Sequence, residues 1–176
     1  MKKVFWTMVL DGLLPGLSKD LKLFVATFVV VLSIGFFTGL GFVRHTNATT
    51  PSGIEENYLG NEEIEEVEVM RFKKSEREML TIIHSHILSM SLIFFVLGIL
   101  VWMTRLPRMW KLFLTIEPFV SIILTFGGIY FLWKGLLWMR YVVLFSGAVM
   151  TLSFTASVLA VFLSLWGKPI SSHRTK

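Results

Sequence analysis

Four long stretches of the chain are almost uninterrupted apolar sequence, at about 21–43, 79–103, 112–133 and 141–166. None alternates like a half-buried strand, and none carries the broad polar face of a helix lying on a soluble core. Each exceeds the ~20 residues that a helix needs to cross a ~30 Å hydrocarbon layer. The pattern predicts an all-α integral membrane protein: a four-transmembrane-helix, up-down bundle forming one membrane domain over residues 1–176. The links Thr104–Arg108 and Lys134–Arg140 are short, which makes the second, third and fourth spans sequential antiparallel neighbours. Tyr130, Trp133, Trp138 and Tyr141 surround the second link as an interfacial aromatic belt.

Two segments break the pattern. Residues 1–20 open on Lys2 and Lys3, continue through Val4-Phe5-Trp6, and reach Leu14-Pro15-Gly16. That apolar run is too short to span and lacks a small-residue cleavage site, so an N-terminal interfacial helix is expected, with Trp6 among the headgroups. Residues 44–78 form the one sizeable extramembrane segment, an acidic loop. It contains a turn-rich piece from Asn47 to Gly53, then seven glutamates between Glu55 and Glu68. Such a run reads as a solvated acidic face. The Asp-rich spacing of a calcium loop is absent from it. Asn47-Ala48-Thr49 is a formal glycosylation sequon.

Composition sharpens the membrane reading. Hydrophobic residues make up 54% of the chain and charged residues 16%, and the mean hydropathy is +0.69. One soluble core of this size could not hide that much apolar surface, so the lipid bilayer must. Cysteine is absent, which excludes disulfides, iron–sulfur clusters and thiolate zinc sites. The net charge of +5 comes from basic residues scattered in ones and twos beside the spans. That distribution marks membrane interfaces rather than a nucleic-acid surface. With the N-terminus inside, ten Lys and Arg fall on the cytoplasmic side and seven outside, which favours cytoplasmic N- and C-termini. Arg71, Lys73, Lys74 and Arg77 oppose that bias.

Candidate chemistry concentrates in the second span. At about 100° per residue, Glu78, Thr81, Ser85 and Ser89 form one polar stripe, expected to face other protein because hydroxyls gain nothing from lipid. His84 and His86 flank it, pointing about 200° apart, so a regular helix cannot offer both to one metal. His86 and Met90 share a face at four-residue spacing and could hold copper or line a haem pocket. His45 follows the first span at the same membrane face, making His45 with His84 or His86 the one bis-histidine pair available. The plainer reading has these histidines hydrogen-bonded to loop glutamates or to carbonyls of a neighbouring helix.

Glu117, followed by Pro118, is an intramembrane carboxylate in the third span, and Arg108 and Lys111 are its expected companions. It enters from the membrane face opposite the histidines, so the two lie roughly 15 Å apart along the normal and form no joint metal site. In the first span Gly35 and Gly39 make a GxxxG pair suited to close helix packing. The fourth span carries small residues on two faces, including Gly147, Thr151, Ser153, Thr155 and Ser157, and reads as scaffold.

His84-Ser85-His86, with Leu88-x-Met90 and Ile93-Phe94-Phe95-x-Leu97-Gly98, resembles the His-x-His helix openings of haem–copper oxidase relatives. That resemblance implies haem ligation by a histidine near the outer end of a span. The whole pattern also resembles a type of small four-span bacterial inner-membrane protein. The loop Thr50-Pro51-Ser52-Gly53-Ile54-Glu55-Glu56-Asn57-Tyr58-Leu59-Gly60-Asn61 carries that likeness, which implies a plasma-membrane location and no particular activity. No Ser-His-Asp set, phosphate loop, HExxH or CxxCH is present, so an enzyme acting alone is disfavoured. The first expectation is an accessory or scaffold subunit that contacts other membrane subunits or further copies of itself. The alternative is a small membrane protein binding haem b or copper, and a proton-responsive or transporter-like unit is the third.

Overall fold

Serine starts two of the long helices. Ser18 accepts a hydrogen bond from the Leu21 amide at the head of α1, Lys19–His45. Ser75 and Glu78 form a reciprocal capping box at the head of α3, Glu76–Trp102. Each cap supplies an acceptor to amides that a helix leaves unpaired in its first turn. The computed structural model describes residues 10–62 and 69–167. Its other helices are α2, Pro51–Leu59; α4, Arg108–Trp133; and α5, Met139–Leu165, with a single 3-10 turn at Leu14–Gly16. The described residues contain no strand. Among the described residues four helices, α1, α3, α4 and α5, are long and apolar enough to cross a membrane.

Helix α4 is the structural centre. Half of its apolar stretch is buried inside the protein, against 11% for α1. Its neighbours run antiparallel to it, as the short links require. Gly98 of α3 lies against Thr115, where an added Cβ would stand 3.3 Å from the Thr115 methyl. On the other side, a Cβ on Gly128 would stand 2.9 Å from the Val143 side chain of α5. These are the close helix approaches that small residues permit. Helix α1 joins the bundle by aromatic contact: Phe36 stacks on Phe154 of α5 with centroids 3.8 Å apart, and Phe94 of α3 meets Phe154 edge-on at 6.0 Å. The Gly35–Gly39 pair makes no comparable contact, and a Cβ on either would meet nothing within 4 Å.

Residues 44–62 and 69–78 are more ordered than the polarity of the segment implies. Thr50 caps α2 through the Gly53 amide, Pro51 occupies its first turn, and Gly60 ends it at φ 85°, a left-handed conformation that favours glycine. Asn61 clamps the returning chain, accepting from the Arg71 amide at 2.7 Å and donating to the Val69 carbonyl at 3.1 Å. Arg71 then reaches the Thr46 carbonyl at 2.9 Å. The result is a cap on one end of the bundle. Glu55 pairs with Arg140, Ile54 is buried, and the Trp133 indole donates to the Lys74 carbonyl at 2.8 Å. The expectation of a solvated acidic face is thus corrected for Glu55, because Arg140 at the head of α5 recruits it. Residues 63–68, with four of the seven glutamates, lie outside the described residues.

The opposite end is closed by the N-terminal segment. The Gly12 and Leu14 amides donate to the Thr104 and Met103 carbonyls, each at 3.2 Å, and Leu14 is fully buried. Residues 1–9, the first part of the expected interfacial segment 1–20 and the part with Trp6, lie outside the described residues.

Candidate functional site

The second-span polar residues lie on α3, and most of them face away from the bundle. Thr81, His84, Ser85 and Ser89 are all exposed. The hydroxyls are satisfied within their own helix: Thr81 donates to the Arg77 carbonyl at 2.8 Å, Ser85 to Thr81 at 2.7 Å and Ser89 to His86 at 3.3 Å. Among the described residues no other element covers this stripe, which the sequence pattern directs toward protein. The reason is geometric, because Met79, Phe94, Leu97 and Val101 turn the opposite side of α3 into the bundle.

His86 sits at the edge of that face, with its ring 5.1 Å from the Phe126 ring of α4. Its Nδ1–H donates to the Ile82 carbonyl at 2.8 Å, a partner in its own helix rather than the neighbouring one expected. That bond fixes the tautomer and leaves Nε2 with its lone pair. Met90, one turn on, packs partly buried against the core. His84 and His45 are exposed, and among the described residues neither makes a side-chain hydrogen bond. No three His, Asp or Glu side chains gather in the geometry of a metal site among the described residues.

Glu117 does not pair with Arg108 or Lys111. Its two carboxylate oxygens accept from Ser121 of α4 and Ser153 of α5. Lys111 turns the other way, 2.5 Å from Asp11, 3.0 Å from the Trp102 carbonyl and 2.6 Å from the Thr104 carbonyl. It is buried and acts as a cationic cap on α3, which has no basic residue in its own last turn. With Lys111 so engaged, Glu117 is left to hydroxyls.

Those hydroxyls belong to a polar seam between α4 and α5. Thr125 and Ser146 bond each other at 2.7 Å, Glu117 bridges Ser121 and Ser153 deeper along, and Ser157 follows one turn later. Ser121, Thr125, Ser146, Ser153 and Ser157 are all buried, and the Ser157 hydroxyl has no hydrogen-bond partner among the described residues. Pro118, inside α4, lacks the amide that would bond the Leu114 carbonyl, adding an oxygen without its helical donor to this region. The sequence reading passed over Ser121, Thr125 and Ser146. The spacing of four from Glu117 through Ser121 to Thr125 along α4 carried the signal; Ser146 lies on α5.

A family model for a transmembrane helical domain, Aq_1264_TM, matches residues 48–172. That is well over half of the chain. The chain belongs to this family. No curated protein and no solved structure matches it. The Aq_1264_TM segment begins in the turn before α2 and so takes in the cap, α3, α4 and α5, with the seam inside it. Helix α1, the long helix that buries least, precedes it.

Proposed function

We propose that the protein is a scaffold subunit of a plasma-membrane assembly, holding other membrane helices on α1 and on the outward face of α3. The observation that carries this reading is the exposed row Thr81, His84, Ser85 and Ser89 on an otherwise apolar spanning helix. The exposed His84 imidazole finds no hydrogen-bond partner in hydrocarbon, and the hydroxyls, which donate to carbonyls of their own helix, keep acceptor capacity that a neighbouring helix can use. The open Gly35–Gly39 pair on α1 is a second surface shaped for close approach. The excess of Lys and Arg beside α1, in the 105–111 turn and in the tail favours cytoplasmic termini.

Because the chain has no cysteine, single-cysteine cross-linking in native membranes tests this directly. Gly39→Cys and Ser85→Cys should give cross-linked products larger than the monomer. Leu163→Cys, on the lipid-facing side of α5 and 77% exposed, should give none. Equal yields from all three positions would remove the support for a docking face.

A second reading is binding of haem b or copper through His86, with His45 of this chain, or a histidine of another copy, as the further ligand. The tethered Nδ1 of His86 supports it, because ligand histidines are oriented by such a second hydrogen bond. A reduced-minus-oxidised visible spectrum with metal analysis, after expression with ample haem and copper, decides it. A Soret band or stoichiometric copper lost in His86→Ala supports it, and neither in the wild type rejects it.

A further inference from the structure

A groove of about 340 Å3 runs between the first half of α4 and the second half of α5. Trp110, Phe113, Leu152, Ser153, Ala156 and Ala160 are among the residues that line it. The alanines leave the space that larger residues would fill. Trp110, Phe113 and Ala156 are exposed, so the groove opens sideways toward lipid. Ser153 connects the lining to Glu117, which lies one turn beyond Phe113 on α4, just outside the lining residues, and accepts the Ser153 hydroxyl. The volume is in the range of small-molecule sites.

Charge defines the occupant. Among the described residues the ion pairs are Lys111–Asp11 and Arg140–Glu55, so Glu117 has no cationic partner. A carboxylate at this depth is costly unless it is neutralised, and the faces of Trp and Phe attract cations. An acyl chain would satisfy the walls and ignore the carboxylate. A bare metal ion would need more oxygen ligands than one carboxylate and two hydroxyls supply, and it would ignore the aromatic walls. We propose that this groove is a binding site for an amphiphilic organic cation, with its charged centre at Glu117 and Ser153 and its apolar body along Trp110 and Phe113. The site lies in the α4–α5 seam and is independent of the docking faces on α1 and α3.

Tetraphenylphosphonium and tetraphenylborate have nearly the same shape and opposite charge, which makes them a discriminating pair of probes. With the full chain in mild detergent, tetraphenylphosphonium should bind saturably, and at least about tenfold more tightly than tetraphenylborate. Glu117→Gln should lose about tenfold or more of that affinity, and Ala160→Phe, which fills the groove, should abolish it. Equal binding of the two probes, or wild-type affinity in Glu117→Gln, overturns the proposal. A test on the unmutated protein removes dependence on variant folding. Saturating tetraphenylphosphonium should protect Glu117 from modification by dicyclohexylcarbodiimide, read by peptide mass spectrometry. Glu117 modified equally with and without the cation also overturns it.

Discussion

Gly53 packs so closely against the preceding turn that a Cβ would lie 1.8 Å from the Asn47 carbonyl oxygen. Only backbone movement could relieve that contact, so Gly53→Ala should loosen the cap. A loss of about 1–3 kcal/mol is expected, read as a lower thermal midpoint in detergent. Gly35→Ala, which meets open space, should leave the midpoint of the monomer unchanged. Tyr58, in the same cap, has its phenol pushed above its ordinary value of 10.0 by burial, partly offset by a hydrogen bond from Asn57. The charged form of a phenol is the anion, so the folded state holds this proton more tightly than the unfolded chain does. Its contribution is fully present below the unfolded value near 10 and is lost as pH rises through the raised folded value. The tyrosinate absorbance of wild type minus Tyr58→Phe should therefore rise at a higher pH than a free phenol. A midpoint at or below the ordinary value would contradict the buried placement.

At the scale of elements, the four long helices divide their work unequally. Helices α4 and α5 share a polar seam within an apolar bundle, and its best-defined link is the Thr125–Ser146 bond at 2.7 Å. Interhelical hydrogen bonds of this kind contribute modestly in membranes, because the separated helices also find partners. A double-mutant cycle of Thr125→Ala and Ser146→Ala should give a coupling of about 0.5–1.5 kcal/mol. A coupling indistinguishable from zero would mean that the two hydroxyls do not act as a pair. Helix α3 shows the opposite arrangement, with its hydroxyls turned outward and bonded to its own carbonyls. The distinction was hidden in the sequence because serine and threonine can satisfy themselves on carbonyls three or four residues back. A polar stripe therefore does not say whether its partner is in the same chain. The glycines repeat the lesson, since the conspicuous GxxxG pair of α1 is open while Gly98 and Gly128 make the tight contacts.

For the whole molecule, length and hydropathy alone determined the all-α membrane bundle, its four long apolar helices, and the antiparallel order of the last three. Those properties follow from the thickness of the bilayer and from short links, and both are read along the chain. The same reading placed Glu117 on the third long helix and His84 and His86 on the second. It assigned Glu117 the wrong companions, because nearness in sequence favoured Arg108 and Lys111. Only the tertiary structure brought Asp11 and the end of α3 to Lys111, withdrawing it from Glu117 and leaving the carboxylate to serines from two helices. It alone closed the acidic segment over the bundle through Arg140, Trp133 and Asn61. Apolar periodicity states that a helix is buried in something, lipid or protein. Which face meets which is decided by rotation and register between helices, and these depend on side-chain contacts between residues far apart in the chain.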